Sequence, residues 1–553
     1  MAVQQDRCYA AVMRSLLLAA ATASALAALP ASAQTAKPPK LVVAISIDQF
    51  SADIFDAYRP FFTAGLKRLS SGTVFANGYQ AHAATETCPG HSTILTGHHP
   101  ASTGVIANAW IDQGAPRQDK TVYCAEDERV PGSTSTSYTV SPEHLRTATL
   151  GDRLKAVDPA SRNVAVAGKD RAAVMMGGHA ADQRWYWNGK SFATDLKSAP
   201  VPKVVTAFQT ALAAQLAQPR PALEPPALCQ AKARAYQLSP TLTVGANRLE
   251  RPAGDLRAFR ASPELDGATL ALALGLQQEL GLGRGPATDV LSIGLSATDY
   301  VGHSYGSGGM ETCLQVLALD RELGDFLQRL DSTGVDYAVV VTADHGVMDI
   351  PERLREQGVA KAQRADPALA TEEVGKLLAP QFGRTQPVLL GSGISGDVWL
   401  DRSIPAADRP RVLAAAVQRF RGHPQVEAVF TAEELGRTPA PRGAPDQWTL
   451  IQRVRASFDP ARSGDFIVVL KEYVSPIAKP SQGYTATHGS PWDYDRRVPI
   501  LFWRRGLAAG ERKEAVDTAD IMPTLAAMIG LPLTGGSLEG RCLDGAGGVR
   551  CAR

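Results

Sequence analysis

Leu41-Val42-Val43-Ala44-Ile45-Ser46-Ile47-Asp48 is an almost unbroken apolar and β-branched run that ends in a carboxylate. An unbroken run, as opposed to strict alternation, is what a strand shows when both of its faces are covered. Runs of the same kind recur at residues 164–167, 290–295, 337–341, 466–470 and 498–503. Helix-like segments lie between several of them, at 264–280, 311–330 and 519–529. This alternation predicts an α/β fold, doubly wound, with a mostly parallel central sheet flanked by helices.

Two stretches interrupt the rhythm. Residues 175–262 are rich in Ala, Pro and Gln, with Pro219, Pro221, Pro225 and Pro226 clustered. Residues 351–464 carry several Pro/Gly turns around one strand-like piece at 397–400. Both are expected to be cap insertions over the sheet edge, within one catalytic domain spanning 34–553. The composition, 44% hydrophobic and 20% charged, is ordinary for a globular chain, and 553 residues can bury a sizeable core. A formal charge of +2 offers no footprint for nucleic acid or an anionic membrane.

The N-terminus bears on the compartment. Arg7 and Arg14 precede a small and apolar run at 15–29, Pro30 breaks it, and Ala31-Ser32-Ala33 offers small residues for cleavage. This is the layout of a signal peptide over 1–33. About 15 apolar residues are too few for a membrane span, which needs ~20. The expectation is export to the periplasm or beyond, with no membrane insertion after cleavage. Removing Cys8 leaves six cysteines, Cys88, Cys124, Cys229, Cys313, Cys542 and Cys551, an even number that suits disulfides. Cys542 and Cys551, close together in a Gly-rich tail, are the first expected pair; the other pairings stay open.

The polar residues that follow the strands carry the chemistry. Asp48 follows the first run directly, Asp299 and His303 lie just beyond 290–295, and Asp344-His345 follows 337–341. Ligands of open α/β sheets bind outside the carboxyl ends of strands, so three strands deliver Asp and His to one edge. His488 comes shortly before the run at 498–503. Carboxylate and neutral imidazole are the expected ligands of hydrolytic zinc. Singly, each residue has a plainer role: a helix cap for Asp48, a surface pair for Asp299 and His303, a turn for Asp344-His345-Gly346. Together they suffice for two metal ions. Thr87, in Thr85-Glu86-Thr87-Cys88-Pro89-Gly90-His91-Ser92, places a hydroxyl where a turn enters a helix, and a divalent site can ionise such a hydroxyl.

These motifs resemble the alkaline phosphatase superfamily, most closely the bacterial threonine-nucleophile dizinc alkaline phosphatases. Those are related to the type I phosphodiesterase/nucleotide pyrophosphatase family. The pattern runs from Asp48 through Thr87-Cys88-Pro89-Gly90-His91, Gly104-Val105-Ile106-Ala107-Asn108 and Lys169-Asp170-Arg171. It continues through Asp299-x-x-x-His303, Asp344-His345-Gly346 and Thr487-His488-Gly489, and ends near Asp520-Ile521-Met522-Pro523-Thr524.

The resemblance implies two zinc ions, one held by Asp299, His303 and His488, the other by Asp48, Asp344, His345 and the Thr87 oxygen. It implies that Asn108, helped by the Cys88 N–H, and Lys169 with Arg171 bind phosphoryl oxygens. The activity implied is hydrolysis of phosphate monoesters through a covalent phosphothreonine at Thr87. Alternatives are a phosphodiesterase or nucleotide pyrophosphatase on the same metals, and a non-catalytic zinc-binding protein. The expected partners are small-molecule phosphate esters, with no nucleic-acid-specific binding and a monomeric chain. Arylsulfatase is disfavoured, because Cys88-Pro89-Gly90-His91 departs from the Cys-x-Pro-Ser-Arg signature. His82, His91, His98 and His99 are expected to be structural, and Ser92 to pack rather than to act as nucleophile.

Overall fold

The computed structural model describes residues 37–391, 393–507, 510–533 and 537–551, so the expected signal peptide lies outside the described residues. The main strands are β1 (Leu41–Ile47), β2 (Thr73–Tyr79), β3 (Asn163–Ala167), β4 (Gln183–Trp187), β5 (Asp289–Leu295), β6 (Tyr337–Thr342) and β7 (Arg497–Arg504). Across the sheet they run β2-β7-β6-β1-β5-β3-β4, and three short strands extend its edges to a total of ten among the described residues. The five strands from β6 to β4 are parallel, while β7 is antiparallel to both neighbours. The α/β sheet is therefore mostly parallel, as the apolar runs predict.

Helices cover both faces: α1 (Thr87–Ile94), α2 (Asp170–Gly177), α3 (Pro263–Leu280), α4 (Ala297–Tyr305), α5 (Met310–Ser332) and α6 (Ile521–Ile529). Alternate side chains of β1 point to opposite faces. Leu41, Val43, Ile45 and Ile47 join the core built on Leu265, Leu272 and Leu319 of α3 and α5. Val42 and Ala44 join the opposite core, with Ile94 of α1 and Ile521 and Leu525 of α6. Every residue of β1 is buried, which explains the unbroken apolar run.

Register positions the site. Ile47 is level with Leu295, and Ser46 with Thr342, so β1, β5 and β6 end at one edge. The chain turns polar there, at Asp48, Asp299 and Asp344. Ala167, the last residue of β3, is level with Gly294, which brings Lys169 to the same edge. Because β7 runs the other way, it starts at this edge, and the preceding loop delivers His488 to it.

Two apolar or aromatic segments lie elsewhere than the sequence suggests. Phe466–Leu470 is not in the central sheet. It forms a separate four-stranded sheet with Leu389–Leu390, Gly396–Leu400 and Val426–Thr431. It reads as an unbroken run because both faces are covered there too: Phe466, Val468 and Leu470 pack with Phe420, while Ile467 and Val469 pack with Leu435 and Phe458. Burial on two faces, not parallelism, makes the run. Conversely, β4 and Phe192–Ala193 fall inside the stretch 175–262 yet extend the central sheet. The β4 sequence, Gln-Arg-Trp-Tyr-Trp, has no β-branched residue to announce it.

Cys542 pairs with Cys551 as expected, and the remaining cysteines pair as Cys88–Cys124 and Cys229–Cys313. No described helix is long and apolar enough to cross a membrane.

Candidate active site

Asp48, Asp344 and His345 bring ligand atoms within 4.8 Å of one another, as do Asp299, His345 and His488. His345 belongs to both groups, so it stands where they meet. His303 joins through Asp299, its Nε2 lying 3.2 Å from Asp299 Oδ1. The sheet edge thus gathers the six Asp and His residues among the seven expected to hold metal.

The histidines are oriented by the backbone. Nδ1 of His303 bonds the Ala486 carbonyl at 2.8 Å, Nδ1 of His345 the Gly346 carbonyl at 2.9 Å, and Nδ1 of His488 the Thr85 carbonyl at 2.7 Å. A carbonyl can only accept, so Nδ1 carries a proton in each ring, and in the neutral imidazole Nε2 is left with a lone pair for a metal. Asp48 Oδ1 and His345 Nε2 are buried and face one another at 3.4 Å without a hydrogen bond. Two acceptors aimed at a common point suit a cation.

Charge gives the same answer. Asp48, Asp299 and Asp344 are buried together, and the ammonium among them is Lys169, 2.6 Å from Asp48 Oδ2 and 2.5 Å from Asp299 Oδ2. Burial, and then the Asp344 charge, push the Asp48 carboxyl well above the usual range. Burial would also raise Asp299, but His303 and Lys169 outweigh it and hold that carboxyl low. Burial pulls the His345 imidazole down to about 3, keeping it neutral. A site with excess carboxylate and neutral imidazole fits divalent metal, and its donors suit zinc.

Thr87 is the first residue of α1 and fully buried. Its Oγ1 lies 3.4 Å from Lys169 Nζ and 3.5 Å from Arg171 Nη2. Pro89 falls in the first helical turn, where its missing N–H is harmless. Gly90 is required: a methyl group there would overlap the Asp344 carbonyl oxygen, so α1 packs backbone-to-backbone on the turn that carries Asp344. Ser92 Oγ donates to the Pro89 carbonyl and meets Thr103 Oγ1, consistent with a packing role.

Arg171 is held through its neighbours. Tyr123 and Tyr138 each donate to Asp170 at 2.8 Å, the Arg171 N–H donates to Asp170 at 2.7 Å, and Arg171 Nη1 donates to the Tyr123 hydroxyl at 3.3 Å. Lys169 is only 2% exposed, so it is a buried member of the site and not a surface residue. One expected contact differs. The Cys88 N–H donates to Asn108 Oδ1 at 2.8 Å, so it is engaged by Asn108 and not free for a phosphoryl oxygen.

Sequence reasoning missed several supporting residues. Gln49 donates from its backbone to Asp344 and from Nε2 to Asp299, joining the two carboxylates, and it adopts a left-handed φ of 68° to do so. Gly302 leaves room for that side chain. His91, expected to be structural, bonds the Thr87 carbonyl through Nδ1 at 2.8 Å and lies 3.1 Å from Asp344 Oδ2, a contact the sequence does not announce. Glu86 accepts the Asn108 N–H at 2.7 Å. His82, His98 and His99 bond Gln80, Glu539 and Asp517 instead.

The profile of the family described as type I phosphodiesterase/nucleotide pyrophosphatase matches residues 42–491. The chain is 52% identical to alkaline phosphatase PhoK of Sphingomonas sp, over 92% of this chain and 91% of that protein. It is 46% identical to alkaline phosphatase PhoD of Zymomonas mobilis, over 93% and 90% respectively. The crystal structure of alkaline phosphatase PafA superposes with a TM-score of 0.79 at 24% identity, covering 92% of this chain and 99% of that one, and so shares the fold. The chain belongs to the type I phosphodiesterase/nucleotide pyrophosphatase family, within the alkaline phosphatase superfamily.

Proposed function

We propose that this chain is an exported alkaline phosphatase that hydrolyses small phosphate monoesters through a covalent intermediate on Thr87. Asp299, His303 and His488 would hold one zinc ion, and Asp48, Asp344, His345 and the Thr87 oxygen a second. When bound, the two ions lower the pKa of coordinated oxygens and stabilise the attacking and leaving oxygens of an in-line displacement.

Lys169 and Arg171 flank the Thr87 hydroxyl at 3.4 and 3.5 Å, and this is the observation that carries the assignment. A monoester dianion has three non-bridging oxygens. Two cationic donors beside the nucleophile, together with the Asn108 amide, can bind all three. A diester has two such oxygens and a bulky substituent in place of the third, which gives one of the cations nothing to bind. The Thr87 oxygen attacks phosphorus, the ester oxygen departs on the opposite side, and water then returns the threonine. Positioning and charge stabilisation dominate such a loose transition state.

Three disulfides in one chain favour an oxidising compartment, which supports export to the periplasm or beyond. A non-catalytic zinc-binding protein would have no use for Lys169, Arg171 and Asn108 around Thr87. The test compares phenyl phosphate with a bis-aryl phosphodiester, using zinc-loaded protein at mildly alkaline pH. Preferential release of phenol from the monoester is expected. Preferential diester cleavage would favour the phosphodiesterase, and bound zinc without turnover the non-catalytic protein.

A further inference from the structure

Beside the Thr87 site lies a cleft of about 620 Å³. Lys169 and Arg171 form the wall it shares with that site, and Arg260, Lys197, Tyr300 and Trp187 line the remainder. Its two carboxylates are already engaged. Asp170 accepts from Tyr123, Tyr138 and the Arg171 N–H, and Asp195 is paired with the buried Arg184. Arg260 differs. Among the described residues no carboxylate pairs with it, and its guanidinium lies over the Tyr300 ring at 4.8 Å. Lys197 is exposed and also makes no ion pair among the described residues. Trp187, 4% exposed, contributes an indole N–H without a partner.

The Tyr300 ring also carries Lys169, whose Nζ is 5.1 Å from its centroid. The two cations over this ring are thus no more than roughly 10 Å apart. A single sugar- or polyol-sized molecule can span them.

We propose that this cleft is a second anion subsite, which takes the alcohol portion of phosphate monoesters that carry a further phosphoryl group, with Arg260 as its main partner and Lys197 at the rim. The proposal rests on the phosphomonoesterase reading above, because the reacting phosphoryl group must lie at Thr87 for the second to reach Arg260. A guanidinium suits this role, since its planar fork binds phosphate through two hydrogen bonds. The second phosphoryl group takes no part in the reaction, so its contact strengthens ground state and transition state alike. It acts on KM and leaves kcat unchanged.

The test measures kcat and KM of the zinc-loaded enzyme for 4-nitrophenyl phosphate, fructose 6-phosphate and fructose 1,6-bisphosphate. The wild type should show a lower KM for the bisphosphate than for fructose 6-phosphate, and added salt should erase the difference. Arg260→Ala should raise KM for the bisphosphate about tenfold, the size of one charge-assisted contact, with kcat and the other two substrates unchanged. Arg260→Lys should recover part of the loss. Lys197→Ala, at an exposed position that leaves folding intact, should raise the bisphosphate KM two- to threefold. Equal losses on all substrates, or no wild-type preference for the bisphosphate, would overturn the subsite. Failure of the wild type to turn over 4-nitrophenyl phosphate would overturn the phosphatase reading itself.

Discussion

The backbone N–H of Cys88 donates to Oδ1 of Asn108 at 2.8 Å, and this bond fixes which end of the Asn108 amide is free. With Oδ1 engaged, the Nδ2 hydrogens remain as donors for a phosphoryl oxygen. Asn108→Ala should lower kcat/KM for monoesters by about 10²-fold, as for one oxyanion donor. Asn108→Asp keeps the acceptor for Cys88 but sets a carboxylate against the substrate dianion, so its loss should be larger still. Steady-state kinetics on a chromogenic monoester decide the matter. An Asp variant more active than the Ala variant would show that Asn108 does not act as a donor.

Gly90 lies where α1 meets the Asp344 carbonyl, with no space for a side chain. Gly90→Ala should force α1 away from this turn and move Thr87 with it. Overpacking of this kind costs about 1–3 kcal/mol. The expected outcome is a lowered melting temperature together with at least a tenfold drop in kcat, read by thermal unfolding and kinetics. A variant with unchanged kcat would show that Thr87 does not depend on this contact.

Metal content provides an independent check. Asp344→Ala or His345→Ala should reduce bound zinc, since each removes a ligand of the ion beside Thr87 and leaves its coordination incomplete. Chelation should abolish activity and zinc should restore it. Elemental analysis of the purified variants measures this directly; two full equivalents of zinc in His345→Ala would remove it from the ligand set.

Much of this site was legible in the sequence, and the reasons are physical. Strands β1, β5 and β6 are buried on both faces, so each reads as an apolar run, and the first polar residues after each run mark the site edge. Thr87 and Asn108 were legible through the resemblance, because a lone Thr or Asn in a loop has no distinguishing pattern. Gln49 was not legible. Its role depends on a left-handed backbone and on the space at Gly302, and neither leaves a periodic trace. The contact of His91 with Asp344 was not legible either, because only the fold brings the two together. Phe466–Leu470 was misplaced because two-sided burial looks the same in either sheet.

Asp266 gives a pH-dependent prediction. It is fully buried, accepting from the Ala297 N–H at 2.9 Å and from Gln315 at 3.0 Å, and burial raises its carboxyl to about 7. The native state therefore holds a proton between about pH 4 and 7 that the unfolded chain has released, so stability falls as pH rises through this window. Asp266→Asn removes that titration. The stability of the variant relative to wild type should increase with pH by up to about 1.4 kcal/mol per unit across the window, then level off. Thermal or urea unfolding at several pH values measures the difference. A difference independent of pH would mean that Asp266 titrates normally.

The phosphoryl group on Thr87 is the claim on which the mechanism depends. The zinc-loaded enzyme should be mixed with a phosphate monoester, quenched in acid during turnover and digested, and the phosphopeptide sequenced by mass spectrometry. Phosphate is expected on Thr87 in the wild type and on no residue of Thr87→Ala, whose other proposed metal ligands are intact. Phosphate on Ser92, or a Thr87→Ala variant that turns over at the wild-type rate, would contradict the claim.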